Sequence, residues 1–170
     1  MKLLGAMLVA GASCFVGFGF AGAVRSQMRQ LEALIGALTT MRSEILYRMT
    51  PLDELLRQLQ SVPDPAVGKL FSDWRYFLYE GGCATIPHAL HQAEEAAASL
   101  NLSEQTRQTL DTLANSLGRL DVQGQCGALD LALDQLRMER QALYAGSEKR
   151  ARSYRTIGAC AGLAAAVILL

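Results

Sequence analysis

The sequence predicts an all-α protein, a six-helix cytoplasmic bundle carried between N- and C-terminal transmembrane helices. Three observations predict it. Residues 3–24 and 156–170 of the 170-residue chain carry no charged side chain. Between them, apolar residues recur at three- and four-residue steps, the period of an amphipathic helix. No stretch alternates apolar and polar residues for long enough to read as a strand. The expected organisation is an N-terminal membrane helix over 1–24, a bundle over 25–155 and a C-terminal spanning or half-inserted helix over 156–170.

The first run is 22 residues, which reach about 33 Å as a helix, enough to cross a bilayer core. A secretory signal would have a shorter apolar core and a small-residue cleavage site. Ala21-Gly22-Ala23 offers such a site, but the run is long and Arg25 and Arg29 follow it directly. The last run is 15 residues and reaches only about 22 Å. Lys149, Arg150, Arg152 and Arg155 precede it. Basic residues beside apolar helices hold that side in the cytoplasm, so both flanks predict a two-pass chain with a cytoplasmic middle domain.

The first helix continues past the membrane to about Met49, along Leu31, Leu34, Ile35, Leu38, Met41, Ile45 and Leu46. Thr50-Pro51-Leu52-Asp53 reads as a second start, with Thr50 capping and Pro51 in the first helical position. Its apolar face is Leu52, Leu55, Leu56 and Leu59, and it stops before Pro63. Asp64-Pro65 opens a third helix along Val67, Leu70, Phe71, Trp74, Phe77 and Leu78, closed by Gly81-Gly82. Thr85-Ile86-Pro87 opens a fourth, with Ala89, Leu90 and Ala93 inside, running to about Leu100-Asn101. Ser103 caps a fifth, whose face is Leu110, Leu113 and Leu117, and Gly118 stops it. A sixth begins at Asp121, carries Leu129, Ala132, Leu133, Leu136 and Leu143, and feeds into the final apolar run.

Composition narrows the function classes. All sixteen acidic residues and fifteen of the sixteen basic ones lie within 25–155, leaving that domain one charge negative. A nucleic-acid surface would need a basic excess. No GxxxxGK[ST] phosphate loop exists, and Gly17, Gly19 and Gly22 fall inside the membrane run rather than after a strand. Cys14, Cys83, Cys126 and Cys160 make no CxxC pair and read as small apolar fillers. His88 and His91 share one helix face with Glu94 or Glu95, close to Cys83. One short helix does not close a four-ligand zinc cage, so a solvated face is expected. No catalytic residue, cofactor, metal or small-molecule substrate is therefore predicted.

The order and spacing of several short motifs resemble the stage III sporulation protein AB family over the whole chain. They include the MKLLGA start, the Leu34/Leu38/Ile45/Tyr47 stripe, Thr50-Pro51-Leu52, the Leu70-Phe71 helix and Gly81. Leu117-Gly118-Arg119-x-Asp121-x-x-x-Gln125 and the basic run before Gly158 complete the match. The resemblance implies a middle domain like that of type II secretion system F proteins. It implies a place in the mother-cell membrane around the forespore, in a secretion-like channel required for endospore formation. It further implies a secretion-type ATPase, stage III sporulation protein AA, and other channel subunits as partners, beside membrane lipid. On that reading Thr50, Pro51, Gly118, Asp121 and Gln125 are the candidate partner-binding residues. The alternatives are a membrane-tethered or exported metal-dependent enzyme using His88 and His91, and a generic type II secretion or pilus platform.

Overall fold

A computed structural model of the chain describes the backbone of residues 2–169 and the side chains of residues 24–146. Six α-helices follow one another: α1 (Lys2–Arg48), α2 (Leu52–Gln58), α3 (Pro65–Tyr79), α4 (Ile86–Ala96), α5 (Glu104–Ser116) and α6 (Val122–Leu169). One 3₁₀ turn (Leu59–Ser61) extends α2, and the described residues contain no strand. The sequence assigns residues 1–24 and 156–170 to membrane. These runs lie, apart from Val24, outside the described side chains. Among the described residues no helix is long and apolar enough to cross a membrane.

The helical stripes meet in one core. Leu31, Leu34, Leu38 and Met41 of α1 are essentially fully buried, as are Leu55 and Leu56 of α2. Phe71 and Trp74 of α3, Leu90 of α4, Leu113 of α5 and Leu129 and Leu136 of α6 join them. Each fully buried leucine or phenylalanine is worth about 1.5–3 kcal/mol before entropy is counted, so these stripes are the main drive to fold. Trp74 also donates its indole N–H to the Ile86 carbonyl at 3.1 Å, which ties the start of α4 to α3. That contact satisfies the polar end of an otherwise apolar side chain.

Two long-range pairs fix the direction of the outer helices. The Arg42 guanidinium meets both oxygens of Asp130 at 2.6 and 3.0 Å, and Tyr144 donates to Glu32 at 2.7 Å. Rising numbers on α1 face falling numbers on α6, so the two run antiparallel. Residues 24 and 146 therefore share one end of the bundle, called proximal below. The end of α1 and the start of α6 share the distal end. The two are about 36 Å apart along α1, at 1.5 Å per residue over 24 residues.

Local rules account for most helix ends. Asp64 caps α3 through Ala66 N–H and Val67 N–H, and Pro65 takes the first helical position. Thr85 caps α4 through His88 N–H, and Ser103 caps α5 through Thr106 N–H. Asp121 accepts from Gly124 N–H at 2.8 Å and caps α6. Two expectations need correction. Thr50 does not cap α2: Pro51 is extended (ψ 149°) and itself occupies the capping position, so the helix begins one residue later. The Thr50 hydroxyl is thereby too far along the chain to reach the first free N–H groups, and it donates instead to Glu44 at 2.8 Å. Helix α4 ends at Ala96, not near Leu100-Asn101. Residues beyond it leave the helix because Gln30 of α1 captures the backbone of Ser99 and Asn101.

Glycine is required at Gly68 for a different reason. A β-carbon there would stand 2.6 Å from the Gln60 carbonyl oxygen. The missing side chain lets α3 pack directly on the 3₁₀ turn.

Candidate interaction surface

The distal end is built from three connections, and each contains one left-handed residue. These are Met49 (φ 52°) between α1 and α2, Gly82 (φ 74°) between α3 and α4, and Gly118 (φ 71°) between α5 and α6. The proximal connections contain none among the described residues. Left-handed backbone reverses the chain tightly, and it costs a non-glycine residue about 1 kcal/mol. Met49 carries that cost with its side chain 72% exposed.

The three turns do not close over the core. They leave a cleft of about 360 Å³ with Ile45, Leu52, Leu55, Ile86, Leu117 and Val122 on its walls. Met49 and Tyr79 form its rim and are both solvent-exposed. Thr50, Gly118 and Gln125, three of the five candidate residues from the sequence, line this cleft. Those positions are up to 75 residues apart in the chain and come together because α1, α5 and α6 end at the same level.

The remaining two candidates flank it. Pro51 is exposed at the start of α2, and Asp121 is exposed with one carboxylate oxygen held by the Gly124 N–H. Gln125 donates its side-chain N–H to the Leu120 carbonyl at 2.8 Å, so it also braces the α5–α6 turn. A β-carbon on Gly118 would meet the tip of Ile86 at 3.1 Å and face a disfavoured φ. Sequence reasoning passed over Met49 and Tyr79. Both stand beside ordinary helix-end signals, and only the tertiary fold shows that they rim a cavity.

Several charges near the cleft are paired within the molecule. Glu44 receives the Thr50 hydroxyl and pairs with Arg48 at 3.3 Å. Arg75 bridges two neighbours, with Nε 2.7 Å from Asp53 as an ion pair without hydrogen-bond alignment, and Nη1 3.3 Å from Glu80. Burial, with the Asp53 carboxylate nearby, raises the Tyr79 hydroxyl above its usual pKa, so it stays a neutral donor on the rim. The cleft thus offers apolar contact area edged by polar side chains.

The histidine face is different. His88 is exposed, and His91 Nδ1 lies 3.7 Å from Glu95, also exposed. Among the described residues no three His, Cys, Asp or Glu side chains converge to hold a metal ion. Cys83 and Cys126 are free thiols, the second buried in the core.

The whole-chain likeness seen in the short motifs extends to curated and solved proteins. Stage III sporulation protein AB of Bacillus subtilis (strain 168) is 26% identical over 170 residues, covering 100% of this chain and 99% of the relative. A solved structure of stage III sporulation protein AB (SpoIIIAB) superposes with a TM-score of 0.65 at 25% identity, over 73% of this chain and 98% of that one. Its fold is therefore the six-helix arrangement described above. The family profile for stage III sporulation protein AB matches residues 2–170, and with that span the chain belongs to the stage III sporulation protein AB family.

Proposed function

We propose that this sporulation-family chain is a non-enzymatic platform subunit of a secretion-like channel between mother cell and forespore. In this reading residues 1–24, uncharged from Leu3 onward, and the uncharged run 156–170 are membrane helices and the bundle stands in the cytoplasm, as in type II secretion system F proteins. The distal cleft docks a cytoplasmic secretion-type ATPase, the stage III sporulation protein AA. The membrane and the partner then sit at opposite ends of one rigid helical body.

The observation that carries this reading is the antiparallel pairing of α1 with α6. It directs both uncharged runs to the proximal end and leaves the apolar cleft at the distal end, about 36 Å away along α1. A subunit that links a bilayer to a soluble motor needs that polarity. The basic residues at 25, 29 and 149–155 support a cytoplasmic bundle.

The test is a topology reporter inserted at Ala98, in the exposed α4–α5 connection. The proposal requires a cytoplasmic signal. A signal from the far side of the membrane overturns it, because the ATPase works only where ATP is present.

A further inference from the structure

The proximal end has a built feature that neither helix packing nor ATPase docking uses. Between Glu95 and Glu104 the chain carries eight uncharged residues, 96–103. They leave α4, turn at the proximal end and enter α5. Ala97, Leu100 and Leu102 point into the core, while Ala98, Ser99 and Asn101 are exposed. The turn is fastened by Gln30, whose side chain is almost wholly buried. Its Nε2 donates to the Ser99 carbonyl at 3.0 Å and its Oε1 accepts from Asn101 N–H at 2.7 Å.

Gln30 lies five residues from Arg25, about 8 Å along α1. Arg25 and Arg29 stack one turn apart on the outer side of that helix, both exposed and with no ion pair among the described residues. The interfacial layer of a bilayer is about 5–8 Å deep on each side, from a total of about 40–45 Å against a core of about 30 Å. A helix that enters the membrane at Arg25 therefore holds the 97–102 turn at the outer edge of the headgroups. Of the acids around the turn, Glu94 is held beside Arg107, Glu95 lies 3.7 Å from His91 and Glu139 accepts from Ser103 and Thr106, while Glu104 is exposed at the start of α5 and accepts from Gln108.

We propose that residues 97–102, fixed to α1 by Gln30 and accompanied by Arg25 and Arg29, form a surface that rests on anionic phospholipid headgroups. The arginines supply attraction to phosphate, and the uncharged turn lets the bundle approach without burying an acid. This fixes the tilt of the body on the membrane, and so the height at which the distal cleft stands. The inference rests on the membrane-anchored reading above.

The experiment uses the full chain, with Cys14, Cys83, Cys126 and Cys160 replaced by alanine, reconstituted in vesicles containing headgroup-level quencher lipid. A fluorophore is placed at Ser99→Cys, and for comparison at Tyr47→Cys on the distal end, about 33 Å from Arg25 along α1. Quenching at position 99 is expected to exceed that at position 47 by at least about twofold in phosphatidylglycerol vesicles, since lipid-borne quenchers act only at close range and position 47 stands about 33 Å further along α1. The excess is expected to fall when phosphatidylcholine replaces phosphatidylglycerol, and to lose that lipid dependence in an Arg25→Gln/Arg29→Gln variant. Equal quenching at both positions in a chain that resists carbonate extraction overturns the surface and leaves the platform reading intact. Release of the chain by carbonate overturns both. If a labelled variant misfolds, hydrogen exchange on the unsubstituted chain tests the same surface. Residues 97–102 must then exchange more slowly in phosphatidylglycerol than in phosphatidylcholine, and identical rates overturn the inference.

Discussion

Gln30 and Asn101, 71 residues apart, are joined by a 2.7 Å hydrogen bond from a backbone N–H to a buried carboxamide. The other end of the same carboxamide holds the Ser99 carbonyl. One side chain thus satisfies two backbone groups in a connection that has left its helix. Replacing Gln30 with leucine keeps the volume and removes both bonds. Water reaches the exposed Ser99 and Asn101, so the loss is that of two ordinary hydrogen bonds, and Gln30→Leu should lower unfolding stability by about 1–3 kcal/mol. Denaturant unfolding of the solubilised chain measures it, and an unchanged midpoint would show that the turn finds other partners.

The Arg42–Asp130 pair should behave in the opposite way. It is a well-aligned fork, but both side chains are substantially exposed, at 33% and 52%. Screening by water keeps such pairs weak. A double-mutant cycle with Arg42→Met and Asp130→Asn should give only the small coupling of an exposed ion pair, shrinking as salt is raised.

Gly68→Ala tests the contact between α3 and the 3₁₀ turn. The new methyl would lie 2.6 Å from a backbone oxygen that has no freedom to rotate away. Overpacking of that kind costs about 1–3 kcal/mol, although alanine favours a helix by about 1 kcal/mol over glycine. A net loss of stability is expected, whereas a gain would mean the two elements separate freely.

Glu94 makes stability depend on pH. Its side chain is 10% exposed, its nearest cation is Arg107 at 3.7 Å, and its other oxygen has no partner. Burial raises its pKa above 4.5, against the opposing pull of Arg107 and His91, and Asp111 and Glu104 raise it further. A raised folded pKa means the folded state prefers the neutral acid. That stabilisation is fully present below the unfolded pKa and disappears as pH climbs through the folded value. Glu94→Gln should therefore melt a few degrees higher than the parent at about pH 7.5, with the gap closing toward about pH 4.5. A variant that melts lower at neutral pH would assign Glu94 a net favourable charge pairing.

Much of this architecture is legible in the sequence because it is local. Stripes such as Leu31/Leu34/Leu38/Met41 and caps such as Asp64 and Ser103 act within a turn or two, and the residues themselves state them. What escapes is set by distant partners. Thr85 and Thr50 look alike in sequence, each preceding a proline, yet only Thr85 caps, because Pro87 falls inside the helix and Pro51 falls at its boundary. The early end of α4 depends on a glutamine from α1. Thr50, Gly118 and Gln125 could be singled out as turn residues, but their meeting in one cleft follows from helix lengths. Met49 and Tyr79 carry no signal at all in one sequence.

In the function proposed above, the distal cleft is where the bundle would grip a secretion-type ATPase. Met49 is the position to change, since it rims the cleft and its exposure makes substitution nearly neutral for stability, within about 0.5 kcal/mol. The direct measurement is the affinity of the membrane-reconstituted chain for stage III sporulation protein AA, with and without Met49→Glu. The account predicts binding by the parent and a loss of at least about tenfold in the variant, because a carboxylate would be desolvated against an apolar contact. Equal affinities for two equally stable chains would contradict it.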